Sequence, residues 1–272
     1  MVLSIKLLKN AVKLLLVSVL LQGVCYAGPA ILATSYTVVD LKTGEVLKEH
    51  NTSEVRSIAS ITKLMTAVVV LDAKQDLSEE ITVESAPGVS TKLKAGIKVT
   101  RKFLMHVALM SSDNLAAKLL ATNFPGGEHA FVEQMNHKAA LLGMVDTKYV
   151  EPTGLSVFNV STARDLVKLL SNAQSYKEIR DFSTDEHTEL SISSKKKPKI
   201  VYFNTTNSLV KKYKDIVVSK TGWIKSSGGC LIMLVRDQIS ERAIVVLNSR
   251  NTRTRITDGD LLYGIYNNGK NI

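Results

Sequence analysis

Residues 60–73 read Ser-Ile-Thr-Lys-Leu-Met-Thr-Ala-Val-Val-Val-Leu-Asp-Ala, a polar start followed by an apolar run. The apolar residues recur at helical spacing, which predicts a helix with one stripe against a core. Ser60 and Lys63 are three residues apart at the start of this helix, so the hydroxyl and the amine share one face. A lysine amine takes a proton from such a hydroxyl if burial or a nearby cation lowers its pKa, and Lys220 is a candidate for that cation. Ser60 and Lys63 are therefore a candidate nucleophile and base.

The Ser-x-x-Lys spacing is weak evidence when it stands alone. It recurs in polar contexts at Ser193 with Lys196, at Ser194 with Lys197 and at Ser208 with Lys211. In a chain rich in serine and lysine, about two such matches are expected by chance. Ser60 differs because it precedes an apolar helix and because two further motifs follow it in order.

The first of these motifs is Ser112-Asp113-Asn114, which lies between helices predicted over residues 102–110 and 115–121. Its serine hydroxyl is able to relay a proton, and its asparagine amide is able to hydrogen-bond a peptide backbone. A tight turn that only caps the second helix is the competing interpretation.

The second motif is Lys220-Thr221-Gly222, which follows a predicted strand. A fixed ammonium and a hydroxyl there would hold a substrate carboxylate, and the glycine would let the substrate backbone approach closely. The same tripeptide occurs at Lys42-Thr43-Gly44, in a predicted hairpin turn. Its position after the other two motifs distinguishes the downstream copy, since the three signatures occur together in class A β-lactamases and penicillin-binding proteins.

The remaining pattern predicts an α/β chain of the α+β type, an antiparallel sheet flanked by helices with a mostly helical segment inserted. The two chain ends must come together to complete that sheet, and the site would lie in the cleft between sheet and helices. Residues 35–41 and 45–48 are predicted to form a hairpin, and further strands are predicted over 216–219, 230–236 and 243–247. Further helices are predicted over 129–142, where Gly143 ends the helix, and over 257–266. Another helix is predicted to begin after Ser161, which would be its N-cap.

The N-terminus predicts export. Lys6, Lys9 and Lys13 precede an apolar run over residues 14–21, and Cys25-Tyr26-Ala27 follows as the cleavage region, which is typical of a signal peptide over residues 1–27. This run is shorter than the roughly 20 residues needed to span a bilayer; a retained anchor is the alternative. The segment has no acidic residue, so its removal would change the formal charge from +10 to +7. The mature chain would keep a single thiol, Cys230, which excludes an internal disulfide.

The ordered motifs resemble those of the serine DD-peptidases among the low-molecular-mass penicillin-binding proteins. Three further stretches resemble sequences of the branch called D-alanyl-D-alanine endopeptidase: Val150–Ser156, Ser161–Leu166 and Phe124–Gly127. The resemblance covers residues 34–248 and implies a β-lactamase/transpeptidase-like fold. It also implies one catalytic domain over residues 28–272, located in the periplasm.

The resemblance implies a role for each motif residue. Ser60 would be acylated, Lys63 would be its base, Ser112 would pass a proton to the leaving amine and Asn114 would orient the substrate. The terminal carboxylate would contact Lys220 and Thr221 beside Gly222, and the oxyanion hole would be the N–H groups of Ser60 and Trp223. Peptidoglycan stem peptides would be the substrate and β-lactams covalent inhibitors. No metal, cofactor or nucleic acid is implied, and membrane association would be loose at most.

Four alternatives stay open from sequence alone. A D-alanyl-D-alanine carboxypeptidase would use the same residues. A class A-like β-lactamase would need a carboxylate to activate the deacylating water, and Glu151 is the candidate, although Leu155 and Tyr149 depart from that pattern. A non-catalytic wall-binding or penicillin-sensing module would retain the fold without hydrolysis. A zinc amidase is poorly supported, because the five histidines form no His-Glu-x-x-His pair. We expect His106 to be packed within its apolar helix, and His129 and His137 to be solvated.

Overall fold

A five-stranded antiparallel sheet brings the two ends of the chain together. The computed structural model describes residues 30–86, 88–192 and 198–267. The strand order is β2-β1-β11-β10-β9, so the early hairpin pairs with the last strand and completes the sheet as expected. The strands of the described residues are β1 Ser35–Asp40, β2 Val46–His50, β3 Arg56–Ser57, β4 Glu80–Thr82, β5 Lys98–Thr100, β6 Val160–Ser161, β7 His187–Ile192, β8 Lys199–Asn204, β9 Ile216–Ile224, β10 Gly228–Arg236 and β11 Glu241–Ser249.

Helices cover both faces of this sheet, and most of them lie between β2 and β9 in the chain. The helices of the described residues are α1 Thr62–Asp72, α2 Arg101–Met110, α3 Asn114–Thr122, α4 Gly127–Leu141, α5 Ala163–Ala173, α6 Lys177–Thr184, α7 Leu209–Lys212 and α8 Thr254–Asn267. Helix α1 contacts α2 to α6 and is the centre of the helical layer. The inserted helical segment predicted from the sequence is thus confirmed.

The central strand β10 explains how the sheet carries two cores. The side chains of a strand alternate between the two faces of the sheet, and both faces of β10 are buried. Its apolar run is therefore continuous. Cys230, Ile232 and Leu234 join the core shared with α1 to α6. Leu231 and Met233 join a smaller core with α7 and α8. The site-bearing strand β9 pairs with β10 along its length and is held rigidly at the edge of the sheet.

Most predicted elements are confirmed within one to three residues at their ends. The strand predicted over residues 216–219 was too short: its pairing with β10 continues to Ile224, so Lys220-Thr221-Gly222 lies within β9 and does not follow it. The N-cap of α5 also differs. Ser161 was predicted as its N-cap, whereas Thr162 is the cap and its hydroxyl accepts from the Asp165 N–H at 3.1 Å. The Ser161 side chain is buried instead, in a hydrogen bond with the Thr147 hydroxyl. Ser161 does not cap the helix because the short β3–β6 pairing holds it in a strand opposite Arg56.

Several short elements were not predicted from the sequence: α6, α7, β3 to β6 and the β7–β8 hairpin. Helix α6 is amphipathic, but its eight residues include only two apolar ones, Ile179 and Phe182, which are too few to establish a helical period from sequence. Strand β7 alternates between exposed and half-buried residues, without a fully buried face. The sequence also predicts an exposed loop over the Lys-rich residues 193–199, of which 193–197 lie outside the described residues.

The predicted signal peptide, residues 1–27, also lies outside the described residues. From Ile31 onward the described chain clusters as one compact unit. In the part of the chain that the structure describes, we find no helix with the length and hydropathy of a membrane span.

Candidate active site

Ser60 lies in a 3₁₀ turn, Ala59–Ile61, that leads directly into α1. Two glycines from other parts of the chain pack against this turn. A Cβ on Gly154 would lie 2.0 Å from the Ala59 carbonyl oxygen, and one on Gly222 would lie 3.0 Å from the Ser60 nitrogen. Residues with side chains would push the turn away, so the glycines allow both segments to approach the Ser60 backbone.

The Lys63 amine has three hydrogen-bond partners. Its Nζ lies 2.8 Å from Ser60 Oγ, 2.7 Å from Asn114 Oδ1 and 2.5 Å from the Thr153 carbonyl oxygen. The side chain is fully buried. Burial lowers the pKa of Lys63 to about 7, against the opposing effect of the Glu151 and Asp113 carboxylates. The sequence offered two possible causes of a lowered pKa, burial and a nearby cation. Burial is the one that makes this amine available as a base near neutral pH.

The link between α2 and α3 supplies both a cap and site residues. Asp113 is the N-cap of α3, and its carboxylate accepts from the Ala116 N–H at 2.9 Å. Asn114, the first helical residue, reaches Lys63 as described above. Ser112 has a φ of 61°, in the left-handed region that residues with a Cβ rarely adopt. This motif therefore does both: Asp113 caps α3, while Ser112 and Asn114 belong to the candidate site.

Lys220 approaches the same region from β9. Its Nζ donates to Ser112 Oγ at 3.0 Å and to the Thr221 carbonyl oxygen at 2.8 Å. Burial lowers its pKa well below the usual value, and the positive charges of Lys63 and Arg255 lower it further. Arg255, from α8, donates to the Gly222 carbonyl oxygen at 2.7 Å and so braces the strand that carries the third motif.

The structure brings six of the eight predicted residues into direct contact or van der Waals range. Ser60, Lys63 and Asn114 form one hydrogen-bonded group, Ser112 and Lys220 a second, and Gly222 packs on the Ser60 turn. Thr221 shares a hydrogen bond with Thr206, between hydroxyl oxygens 2.5 Å apart. The Trp223 side chain is 50% exposed, and alternation along β9 places it on the same strand face as Thr221.

A cleft of about 250 Å³ opens beside Ser112-Asp113-Asn114. Its lining includes Ser112, Asn114 and Thr91, together with Phe203 from β8. Ser112 and Asn114 thus border a space large enough for part of a peptide chain, whereas Ser60 and Lys220 do not line it. In residues 30–86, 88–192 and 198–267 the structure shows no group of three His, Cys, Asp or Glu side chains arranged to hold a metal ion.

Sequence reasoning missed three parts of this site. The Thr153 carbonyl is a backbone group, so residue type does not reveal it. Arg255 is a lone arginine on the last helix, 33 residues from its partner. Glu151 was considered only as a water-activating carboxylate, whereas its oxygens accept from the N–H groups of Thr153 and Gly154 at 2.7 and 2.6 Å. The sequence signal for this loop was the Glu-Pro-Thr-Gly run, because a glycine there indicates a turn. In the structure this glycine, Gly154, has a φ of 82°.

The histidine predicted to be packed in an apolar helix is packed. The His106 ring stacks on Phe182 with centroids 4.7 Å apart, and its Nε2 lies 2.9 Å from Asp185 Oδ2. His129, predicted to be solvated, is exposed on α4. These side chains belong to the scaffold and to the surface.

The sequence and structure are similar to those of known proteins. The family model for D-alanyl-D-alanine carboxypeptidase, peptidase family S11, matches residues 23–251. A D-alanyl-D-alanine endopeptidase of Escherichia coli is 40% identical over 89% of this chain and 79% of its own length. One from Pseudomonas aeruginosa is 42% identical over 84% of this chain and 75% of its own length. The crystal structure of the Streptomyces K15 DD-transpeptidase aligns with a TM-score of 0.80 and 26% identity, covering 87% of this chain and 98% of that one.

These matches confirm the resemblance inferred from the three motifs, and they confirm the fold class. The family model extends over most of the chain, and the match includes all three motifs. The chain therefore belongs to the D-alanyl-D-alanine carboxypeptidase family, peptidase family S11.

Proposed function

We propose that this chain is a serine-type D-alanyl-D-alanine endopeptidase that hydrolyses D-alanyl cross-links between peptidoglycan stem peptides. The observation that carries the proposal is the 2.8 Å contact between Lys63 Nζ and Ser60 Oγ. It joins a partly exposed hydroxyl to an amine whose pKa burial lowers to about 7. Two relatives at 40% and 42% identity carry the endopeptidase name, which supports cross-links as the substrate.

The first chemical step acylates Ser60. Lys63 accepts the hydroxyl proton while Oγ attacks the carbonyl carbon of a D-alanyl amide, giving a tetrahedral oxyanion. The C–N bond then breaks, and the proton that Lys63 accepted passes through the Ser112 hydroxyl to the leaving amine; Lys220 holds this hydroxyl by a hydrogen bond at 3.0 Å. The product is an ester on Ser60 and a free amine. Water hydrolyses this ester, which releases the carboxylic acid and restores the serine.

Backbone and charged groups would stabilise the substrate in this geometry. The N–H groups of Ser60 and Trp223 form the proposed oxyanion hole, where losing one donor costs roughly 3 kcal/mol of barrier. The close approach of Gly222 to the Ser60 nitrogen supports this pairing of the two segments. Lys220 and Thr221 would hold an anionic peptide end, and Asn114 would hydrogen-bond the substrate backbone.

A β-lactam would acylate Ser60 by the same attack. The opened ring keeps its amine tethered to the acyl group, so the leaving group stays in the site and obstructs water. Hydrolysis of this adduct at a β-lactamase rate would need a carboxylate free to activate water. Glu151 is engaged by backbone and side-chain donors, which favours a long-lived adduct and disfavours the β-lactamase alternative.

A pair of experiments tests the proposal. Purified cross-linked and uncross-linked wall fragments are digested with the parent chain and with Ser60→Ala, and the products are weighed by mass spectrometry. We expect the parent to cut cross-links, and Ser60→Ala to lose both this cleavage and covalent labelling by a fluorescent penicillin. Circular dichroism controls for the fold.

The other outcomes separate the alternatives. Release of terminal D-alanine alone would replace the endopeptidase by a carboxypeptidase. Labelling without cleavage of either fragment would indicate a non-catalytic penicillin-sensing module. Rapid turnover of the penicillin would indicate a β-lactamase, and labelling that persists in Ser60→Ala would remove Ser60 from the nucleophile role.

Export to the periplasm is part of the same proposal. The N-terminal pattern of residues 1–27 supports it, and a basic mature chain suits an anionic wall polymer. Fractionation of cells that express the full chain, with N-terminal sequencing of the mature protein, tests the expected cleavage after Ala27.

A further inference from the structure

A single peptide unit lies between the Glu151 carboxylate and the Lys63 amine. The Thr153 carbonyl oxygen accepts from Lys63 Nζ at 2.5 Å. The N–H of the same unit, on Gly154, donates to Glu151 Oε1 at 2.6 Å. In a trans peptide the C=O and N–H groups point in opposite directions within the peptide plane. Glu151 and Lys63 therefore hold the unit from its two opposite edges.

The Glu151 carboxylate has little capacity left for any other partner. Its Oε2 also accepts from the Thr153 N–H at 2.7 Å and from the Thr153 hydroxyl at 2.5 Å. Its Oε1 accepts in addition from Asn159 Nδ2 at 2.9 Å and from the Ser156 N–H at 3.3 Å. A carboxylate offers about four acceptor sites. Five donors therefore fill it, and a sixth, catalytic, water has no good position.

Asn159 connects this carboxylate to the helix that carries Lys63. Its side chain is fully buried. Its Nδ2 donates to the Thr62 hydroxyl at 3.1 Å, and its Oδ1 accepts from the Val150 N–H at 2.7 Å. A buried amide with each of its atoms engaged allows little rotation, so the loop around Glu151 is fixed relative to α1.

The position of the Thr153 carbonyl decides where the lone pair of a neutral Lys63 amine points. Of the three partners of Nζ, the Thr153 and Asn114 oxygens are acceptors only, whereas the Ser60 hydroxyl is also able to donate. A neutral amine has two N–H donors, and these two oxygens engage both of them. The lone pair is then left for the Ser60 proton, which is the orientation that a general base needs.

We propose that Glu151 is a positioning residue that fixes the Thr153–Gly154 peptide so that its carbonyl oxygen engages Lys63 and leaves the amine's lone pair directed at Ser60. The inference rests on the proposed role of Ser60 and Lys63 in acylation. It assigns Glu151 to the acylation step and not to activation of the deacylating water.

Charge gives this role a signature that a merely structural residue lacks. Lys63 is faced by the Glu151 and Asp113 carboxylates, which raise its pKa, and it lies near Lys220, which is backed by Arg255. Removing the charge of Glu151 takes away one of the two opposing carboxylates. The pKa of Lys63 should then fall below about 7, and acylation should begin at lower pH.

The test measures the second-order rate of acylation by a chromogenic cephalosporin from pH 5 to pH 9. The variants are Glu151→Gln, Glu151→Asp and, as a control, Glu133→Gln, an exposed glutamate on α4 whose side chain is 66% exposed. Rates are normalised to the active fraction, counted as covalent adduct by mass spectrometry, so that partial unfolding does not lower them.

We expect Glu151→Gln to lower the plateau rate about tenfold or more, because one amide oxygen cannot serve both backbone N–H groups and a misplaced base loses rate steeply. Its acidic limb should move to lower pH. Glu151→Asp should lower the plateau through its shorter reach while its limb stays near that of the parent, because the charge remains. The control should match the parent in both respects.

Parent-like plateaus in Glu151→Gln and Glu151→Asp would overturn the proposal, as would a lowered Glu151→Gln plateau whose acidic limb stays at the parent's pH. Normal acylation in both variants combined with an adduct that no longer hydrolyses would instead assign Glu151 to deacylation. Absence of acylation in the parent would contradict the proposed function, and this is a separate result from any difference between variants.

Discussion

At the scale of single residues, the two lysines of the candidate site are buried. Lys63 is 0% exposed and Lys220 is 1% exposed, and neither has a carboxylate among its hydrogen-bond partners. Burying an unpaired ammonium is costly, so both pKa values are lowered. A neutral amine serves as a base, whereas a lysine that meets an anionic ligand regains its proton and binds it as a cation. The same burial thus suits two different roles.

Replacing Lys220 by alanine should weaken recognition of carboxylate-bearing ligands more than it disturbs the fold. A hydrogen bond to a charged group contributes about 1.5–3 kcal/mol, so acylation by a penicillin should slow about 10- to 100-fold. A penicillin methyl ester, which lacks the carboxylate, should lose much less. Lys211→Ala, on α7, is the control, because this lysine is exposed on another element. Equal slowing of acid and ester would contradict the assignment of Lys220.

At the scale of elements, the site depends on three backbone segments that meet closely. The turn Ala59–Ile61 is covered by the loop at Gly154 on one side and by β9 at Gly222 on the other. Ala59 itself has a φ of 47°, which a residue with a Cβ adopts only at some cost. The short β3–β6 pairing and the Ile58 N–H bond to the Asn159 carbonyl, at 3.1 Å, hold this conformation.

Gly154→Ala should abolish acylation and destabilise the protein. The added Cβ would lie 2.0 Å from the Ala59 carbonyl oxygen, so the turn that carries Ser60 must move. Gly44→Ala is the matched control, since Gly44 has a similar φ of 77° and no atom within 4 Å of an added Cβ. That control should cost only the backbone conformation, about 1–2 kcal/mol.

Denaturant unfolding and penicillin labelling measure these effects together. We expect the free energy of unfolding of Gly154→Ala to fall by clearly more than that of Gly44→Ala, and its labelling to be lost under native conditions. Similar losses in both variants would show that the contact with the Ser60 turn is unimportant.

At the scale of the whole molecule, catalysis reduces stability. The sheet and the helical layer close over Lys63 and remove its amine from water. In the unfolded chain this lysine titrates near 10.5, whereas in the folded protein it titrates near 7. Between these pH values the unfolded state binds one proton more, so the free energy of unfolding rises with pH and falls again as pH drops towards 7.

The difference in unfolding free energy between the parent and Lys63→Met isolates this contribution. It should rise by up to about 1.4 kcal/mol per pH unit between pH 7.5 and pH 9.5, and it should level off below pH 7. Urea unfolding at several pH values measures it, because groups common to both proteins largely cancel. A difference that is independent of pH would show that Lys63 is not neutral in the folded state.

The sequence alone determined the element pattern, the order of the three motifs and the family, because helical and strand periodicity and motif chemistry are local properties. It predicted the sheet that joins the chain ends, with strands close to those observed. It also predicted the residues of the site by type and order. Several short elements, among them α6 and the β7–β8 hairpin, were missed, because α6 offers only two apolar residues and β7 has no fully buried face.

Only the tertiary structure decided how these residues act on one another. Lys63 meets the Thr153 carbonyl across 90 residues, and Lys220 meets Ser112 across 108. Neither partner follows from periodicity, because a backbone carbonyl is present at every residue and burial is a property of the packed chain. The lowered pKa of Lys63 and the brace at Glu151 arise for the same reason: desolvation and hydrogen-bond direction exist only once distant segments have come together.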